Sequence, residues 1–315
     1  MKPPLLQAPD VEGFRRWLRA NKSAALRDKL MDEKTAVNRF IKDQDYLGFE
    51  LYATVRCPMP IVREIIRQKK KHLRLAGQGL MDVDLLLAAG AVEAMDITYV
   101  GYEAHGLSPI LRRATEGGKL RLVEWSNAAL SWRFKAAAMG VPFLPARSML
   151  GTDTLRYSAA KTIRDPFTGI KLTLLPALIL DCGVIHVHRA DKYGNCQLDG
   201  NSGFALEMAR ASKRLIITAE QIVESAVIRK RPERTVIPHF LVDAVVHAPF
   251  GSHPGETCYL YKRDEEHLRE FLVSAKTDEG TRAYLERYVY GVNNHASYLD
   301  LIGRERLRAL EAKDA

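Results

Sequence analysis

Hydrophobic and polar positions alternate along this chain in two periods, and the switch between them recurs. From Asp32 the run AVNRFIKD, starting at Ala36, has the spacing of a helix, and Asp45-Tyr-Leu-Gly-Phe49 reads as a strand. Pro58 and Pro60 open a predicted helix, PIVREIIRQKKK. Proline at a first turn lacks only an N–H that has no helical partner there. Ile61, Ile65 and Ile66 form the face expected to be buried. Lys69, Lys70 and Lys71 close the helix where cations suit the negative end of its dipole. LRLAG is the next strand and runs into the loop Gly77-Gln-Gly79.

The alternation continues with a helix DVDLLLAAG, a strand ITYVG at residues 97–101, and a helix ILRRATEGG stopped by Gly117 and Gly118. A strand LRLVEW and a helix ALSWRFKAAAMG, stopped by Gly140, follow. A second round brings the apolar run at residues 177–188, then RLIIT at 214–218 and VDAVVHAP at 242–249. Thr218-Ala-Glu-Gln221 has the form of a capping box opening a helix. From Asp264 onward the pattern is helical, with stripes Leu268, Phe271, Leu272, Ala275 and Tyr284, Leu285, Tyr288, Val289 that need a surface to lie on. Strands alternating with helices predict an α/β fold: an open, mostly parallel sheet with helices on both faces and a helical C-terminal extension. The expected division is an N-terminal arm over 1–24, an α/β domain over 25–263 and the extension over 264–315. Phe14, Trp17 and Leu18, set among Arg15, Arg16 and Arg19, are spaced for a short amphipathic helix or an ordinary arm.

Composition adds little to this picture. Of the 315 residues 47% are hydrophobic and 27% charged, the mix of a folded protein. The net charge of +9 favours anionic partners without choosing among them. Cys57, Cys182, Cys196 and Cys258 include no CxxC pair, so neither a zinc site nor a disulfide framework is expected. No signal peptide or membrane helix is read, and the expected compartment is the cytoplasm.

Candidate chemistry sits at strand ends. His186 and His188 share one side of a strand and could join Asp191 around a metal, but Asp191 to Asn195 is also good turn chemistry. Asp165-Pro-Phe-Thr-Gly169 reads as a turn, and His247 to Pro254 as a loop following a strand. Glu103, in VGYEAHG, follows a strand end. It is a candidate ligand-facing carboxylate, a helix cap or a partner of Arg112 or Arg113. No nucleophile elbow, Walker loop or GxGxxG occurs, and Ser126 lacks a GxSxG surround.

The order of the pieces says more than any one of them. VREIIRQKKKHLRLAG, ITYVGYEAHGLSPILRRATEGG, AAAMGVPFLPARSMLGTD, DPFTG, HVHRADKYGN, ITAEQIV and HAPFGSHPG follow one another as in the α subunit of the glutaconate CoA-transferase family, which this chain resembles from about Leu26 to Leu310. The resemblance implies an open α/β domain of the kind shared with ribose-phosphate isomerases. It also implies a partner. A β-type subunit, in an α2β2 or larger assembly, supplies a glutamate that attacks an acyl-CoA. A mixed anhydride and then a glutamyl-CoA thioester form, and a second carboxylic acid takes the CoA. Coenzyme A thioester is then a substrate, and no permanently bound cofactor or metal is expected. This chain's part is to wall the cleft, with no catalytic residue of its own. The substrate-facing candidates are Glu50, Tyr52, Gln78, Gly79, Tyr102, Glu103, Ser126 and Asn127.

One departure from the family stands out. Glu50, Leu51 and Tyr52 occupy the place of a Gly-Gly-Phe loop, so side chains fill positions where bare backbone would approach a ligand. Two alternatives follow. Some relatives are ring-opening hydrolases of steroid-derived CoA thioesters, and the slot of their α-subunit glutamate holds Asn127 here; an amide cannot act as that base. Others are non-catalytic ligand sensors of transcription, but no helix-turn-helix reader is found, and specific nucleic-acid binding is not expected.

Overall fold

The computed structural model describes residues 3–50, 53–77, 81–118 and 120–312. Among these, seven parallel strands form the main sheet: β1 (Tyr46–Phe49), β2 (Leu73–Gly77), β3 (Val92–Ile97), β4 (Arg121–Glu124), β8 (Leu180–Ala190), β10 (Ser212–Ile222) and β12 (Ala244–His247). They lie side by side as β12-β10-β8-β1-β2-β3-β4. Two short antiparallel strands, β9 (Cys196–Gln197) and β11 (Thr235–Ile237), continue the sheet from the far end of β8. A separate three-stranded antiparallel sheet is built from β5 (Phe143–Ala146), β6 (Lys161–Arg164) and β7 (Lys171–Pro176), in the order β5-β7-β6. The hydrophobic pattern did not announce it, because β6 is exposed along its whole length. The hairpin between β6 and β7 is the Asp165 to Gly169 turn: Asp165 accepts from Phe167 N–H, and Gly169 takes a φ of 72°.

The helices are α1 (Val11–Asn21), α2 (Glu33–Phe40), α3 (Met59–Arg67), α4 (Met81–Ala88), α5 (Pro109–Glu116), α6 (Asn127–Met139), α7 (Thr154–Tyr157), α8 (Ala205–Arg210), α9 (Ser225–Lys230), α10 (Glu265–Ser274), α11 (Asp278–Leu285), α12 (His295–Ile302) and α13 (Arg304–Leu310). Local chemistry fixes their starts. Asp32, Ser108, Ser126, Asp264 and Thr277 each accept a hydrogen bond from a backbone N–H of the first turn they precede. Among the described residues no helix is long and apolar enough to cross a membrane.

Three expectations change. The strand placed at 97–101 is β3, which ends at Ile97. Charged Glu93 and Asp96 hid it; Asp96 is fully buried, held by the Tyr46 hydroxyl, by Trp125 Nε1 at 2.5 Å and by Arg133 at 3.0 Å. The capping box at Thr218 does not open a helix. Residues 218–221 remain in β10, paired with β8 through Ile222, because a strand-long ladder outweighs one local cap. Finally, α3 is buried from Met59 to Ile66 rather than on one face, Arg63 and Glu64 included. The C-terminal helices cover its outer side. Leu268, Phe271, Ala275, Tyr284, Leu285, Tyr288 and Val289 share one apolar cluster with Ile61, Ile65 and Leu75. Arg63 lies over the Tyr298 ring at 3.6 Å and meets His295 Nδ1 at 3.1 Å. The aromatic stripes thus lie on their own α/β core. At the other end of the chain α1 also packs inward, burying Val11 and Phe14 in the second apolar cluster.

Candidate active site

Strand order defines where a crevice must fall. From β1 the chain adds β2, β3 and β4 outward in one direction. It then returns beside β1 as β8 and adds β10 and β12 in the other. The loops leaving β1 and β8 therefore diverge, and the gap between them is where open α/β sheets bind ligands. Val184 of β8 pairs with Phe49, the last residue of β1, and β8 runs on to Ala190. That overhang and β9, which turns back along it, form one wall.

Glu50 stands at the foot of this wall. Its N–H extends the ladder to Val184 O at 3.4 Å, and its side chain is 1% exposed. Gly203, with φ 56°, crosses so close that a Cβ there would meet Glu50 Oε1 at 2.6 Å. Glu50 Oε1 accepts from Arg56 Nη2 at 2.7 Å. The contact ends there. Among the described residues, Glu50 Oε2, Arg56 Nε and Arg56 Nη1 are buried with no hydrogen-bond partner. Leaving one buried polar atom unpaired costs about 1–3 kcal/mol, more when it is charged. Burial pushes the Glu50 carboxyl up to about 7, against the opposing pull of Arg56.

Arg56 is held in place by strain and by a bridge. Ala53 and Arg56 have φ of 53° and 55°, a region few side chains adopt. Arg56 N–H donates to Glu256 O at 2.8 Å, and Glu256 N–H donates to Thr54 O at 2.9 Å. Gly255 is required by that approach, since a Cβ there would lie 2.0 Å from Thr54 O. Cys57 beside it is buried. Desolvation and the carboxylates of Asp82, Glu50 and Glu256 push its thiol well up, which disfavours the thiolate.

The remaining candidates spread along the same sheet edge. Tyr52, Gln78 and Gly79 lie outside the described residues. Ser126 and Asn127 follow β4, three strands from β1 and so about 14 Å from Glu50 at the usual strand spacing. Ser126 caps α6 through Ala129 N–H at 3.2 Å and meets Ser148 Oγ at 2.7 Å; Asn127 is exposed. Tyr102 turns inward. Its hydroxyl donates to Asp84 at 2.7 Å and its ring packs toward Phe271. Ser108 donates to the same carboxylate at 2.5 Å, and burial pushes Asp84 up to about 7. Glu103 is exposed, at φ 50°, in a single turn whose His105 meets Glu265 at 3.1 Å. Edge position thus unites Glu50, Ser126 and Asn127, while Tyr102 braces the loop from inside. Arg56 escaped the sequence reading; its signal was a lone arginine in the apolar, proline-rich run TVRCPMP.

The histidine-rich stretch resolves into structure. His186 meets Thr218 Oγ1 at 2.8 Å and Glu220 Oε1 at 2.7 Å, and His188 meets Cys258 O at 2.9 Å. Asp191 closes its turn by accepting from Tyr193 N–H, Asn195 N–H and the Ser225 hydroxyl. Among the described residues no group of three His, Cys, Asp or Glu is placed to hold a metal. In the loop after β12, His253 is buried between Tyr298 and Asp264, anchoring the C-terminal helices.

An open parallel sheet, helix-covered, with a crevice at its order reversal marks a class: an α/β protein that handles its ligand at its strand ends. Comparison narrows it. A family model described as Coenzyme A transferase matches residues 30–248. The A subunit of the glutaconate CoA-transferase of Acidaminococcus fermentans is 30% identical over 298 residues, covering 89% of this chain and 93% of that one. The crystal structure of that organism's glutaconate coenzyme A-transferase superposes with a TM-score of 0.88, covering 91% of this chain and 96% of that chain. The A subunit of the 3-oxoadipate CoA-transferase of Pseudomonas knackmussii is 33% identical, covering 86% and 96%. The chain belongs to the Coenzyme A transferase family and is of the A type among its subunits.

Proposed function

We propose that this chain forms one wall of a cleft completed by a β-type subunit in a hetero-oligomer, and that the pair moves CoA from an acyl-CoA thioester to a carboxylic acid. The observation that carries this reading is the reach of the family match: residues 30–248 take in every strand end of the crevice, from Glu50 to Asn127. Two relatives named as A subunits of CoA-transferases support it. The partner's glutamate attacks the acyl carbonyl and CoA thiolate leaves. The thiolate then attacks the resulting anhydride, releases the first acid and leaves a glutamyl thioester that the second acid reverses.

This chain orients the acyl group and keeps water from the anhydride. Glu50, Ser126 and Asn127 are the substrate-facing residues, with Tyr52, Gln78 and Gly79 as further candidates and Glu103 on the β3 loop that Tyr102 braces. The net charge of +9 suits the phosphates of coenzyme A. The slot of a hydrolase's carboxylate holds Asn127, which favours transfer over ring opening. Residues 1–24 serve as the arm, 25–263 as the α/β domain and 264–315 as the extension; the working compartment is the cytoplasm.

The test is reconstitution. Co-expression with a β-type subunit yields a stable hetero-oligomer, and CoA exchange between an acyl-CoA and an acid appears only in the mixture. Full exchange by the purified chain alone refutes the shared cleft. Thioester loss that needs no acceptor acid assigns the pair to hydrolysis instead.

A further inference from the structure

We propose that Arg56 is the receptor for a substrate carboxylate in this cleft, and that Glu50 is its resident counter-ion, which gives up its charge when the substrate carboxylate arrives. This rests on the transfer reading above. The guanidinium lies at the order reversal of the sheet, is 3% exposed, and spends one of its donors on Glu50 while Nε and Nη1 have no partner among the described residues. A planar fork with unused donors in a desolvated place is a receptor for a planar anion. The backbone holds it there at a cost, in left-handed geometry pinned by the Thr54–Glu256 bridge.

The surroundings determine what happens to charge. Glu50 supplies one negative charge to Arg56. Cys57 feels the fields of both Glu50 and Arg56, together with those of Asp82 and Glu256, and His188 feels that of Arg56. Cys57 stays a thiol and adds no anion, and His188, pushed down by burial, stays neutral and adds no second cation. An incoming carboxylate therefore places two anions on one guanidinium in a dry site. One of them must take a proton, and burial already inclines Glu50 to do so. The balance is one substrate carboxylate and one proton from solvent in, with Glu50 neutral and Arg56 paired to the substrate. The carboxylate can be the far end of an acyl chain or that of the free acid.

The experiment uses the chain assembled with its β-type partner and follows kcat/KM from pH 6 to pH 9 for three probes. Pentanoyl-CoA has no free carboxylate, glutaryl-CoA has the same carbon chain with one, and pentanoate is the free acid. With wild type, kcat/KM for the carboxylate-reading probe falls about tenfold per pH unit above about pH 7, relative to pentanoyl-CoA. Glu50→Gln abolishes that extra fall, and Arg56→Met lowers kcat/KM for that probe about a hundredfold more than for pentanoyl-CoA. An extra fall with glutaryl-CoA assigns the acyl far end; one with pentanoate alone assigns the acid. The proposal is overturned if all three profiles run parallel, or if the extra fall survives in Glu50→Gln. Arg56→Lys, which keeps the charge, guards against a folding defect: it retains part of the preference. Absence of CoA exchange with every probe pair would count against the transfer reading itself, whereas exchange with parallel profiles removes only this role for Arg56.

Discussion

Two buried carboxylates sit on neighbouring parts of the same sheet and have opposite fates. Glu220, in β10, accepts from Thr257 at 3.1 Å, from Phe250 N–H at 2.7 Å and from the Tyr261 hydroxyl, and meets His186 at 2.7 Å. Burial raises its proton affinity, but those partners outweigh it and hold the carboxyl below its ordinary value. Glu50, at the end of β1, has one donor among the described residues and is pushed up. The lesson is that burial alone does not tell structure from site. The count of satisfied lone pairs does: a saturated carboxylate is a rivet, and one short of donors waits for something.

The contrast can be tested by substitution and by pH. Glu220→Ala leaves His186, Thr257 and Tyr261 without their acceptor and should cost about 3–5 kcal/mol in denaturant unfolding. A loss under about 1 kcal/mol would end the distinction. Acid comes next. Burial depresses His188, His253, His267 and His295, with His267 down to about 3 and further lowered by His253. Folded pKa below unfolded means that their contribution is full above about pH 6.5 and is lost as pH falls toward 3. The urea midpoint should therefore drop steadily from about pH 6.5 to about pH 4.5.

Glu50 runs the other way. Its folded carboxyl lies above the unfolded value of 4.5, so its contribution is full below 4.5 and is lost as pH rises through about 7. Glu50→Gln should thus gain about 3 kcal/mol at pH 8 and under about 1 kcal/mol at pH 5. Equal effects at both pH values would mean that Glu50 is as settled as Glu220. Smaller still, Ser126→Ala removes one cap from α6 and should lower stability by about 1 kcal/mol. Asn127→Ala, at an exposed first-turn position, should shift stability by under about 0.5 kcal/mol and change acyl preference instead. Unchanged kinetics with a large thermal shift would remove Asn127 from the cleft.

Much of the fold was legible because its signals are local. β2, α5 and α6 are readable from apolar runs bounded by caps and glycines, and Gly118 and Gly140 do take positive φ. β3 was misplaced because its decisive residue, Asp96, is satisfied by Tyr46, Trp125 and Arg133, all distant in sequence. The helix expected at Thr218 failed for the same reason: its competitor was a ladder to β8. Of the candidate site, Glu50 was visible as a departure from a glycine-rich family loop. Its partner Arg56 was not, because pairing across a left-handed kink has no spacing rule.

The cover that α12 lays on α3 sets an order of events during synthesis. Glu33 meets His295 N–H at 2.6 Å and Arg63 meets His295 Nδ1 at 3.1 Å, so early residues wait for very late ones. While the ribosome is still extending the chain, the outer flank of α3 lies bare, an arginine and a glutamate amid isoleucines. Until His295 has been made the nascent protein carries an unfinished hydrophobic flank, and chaperone dependence during translation follows from that geometry.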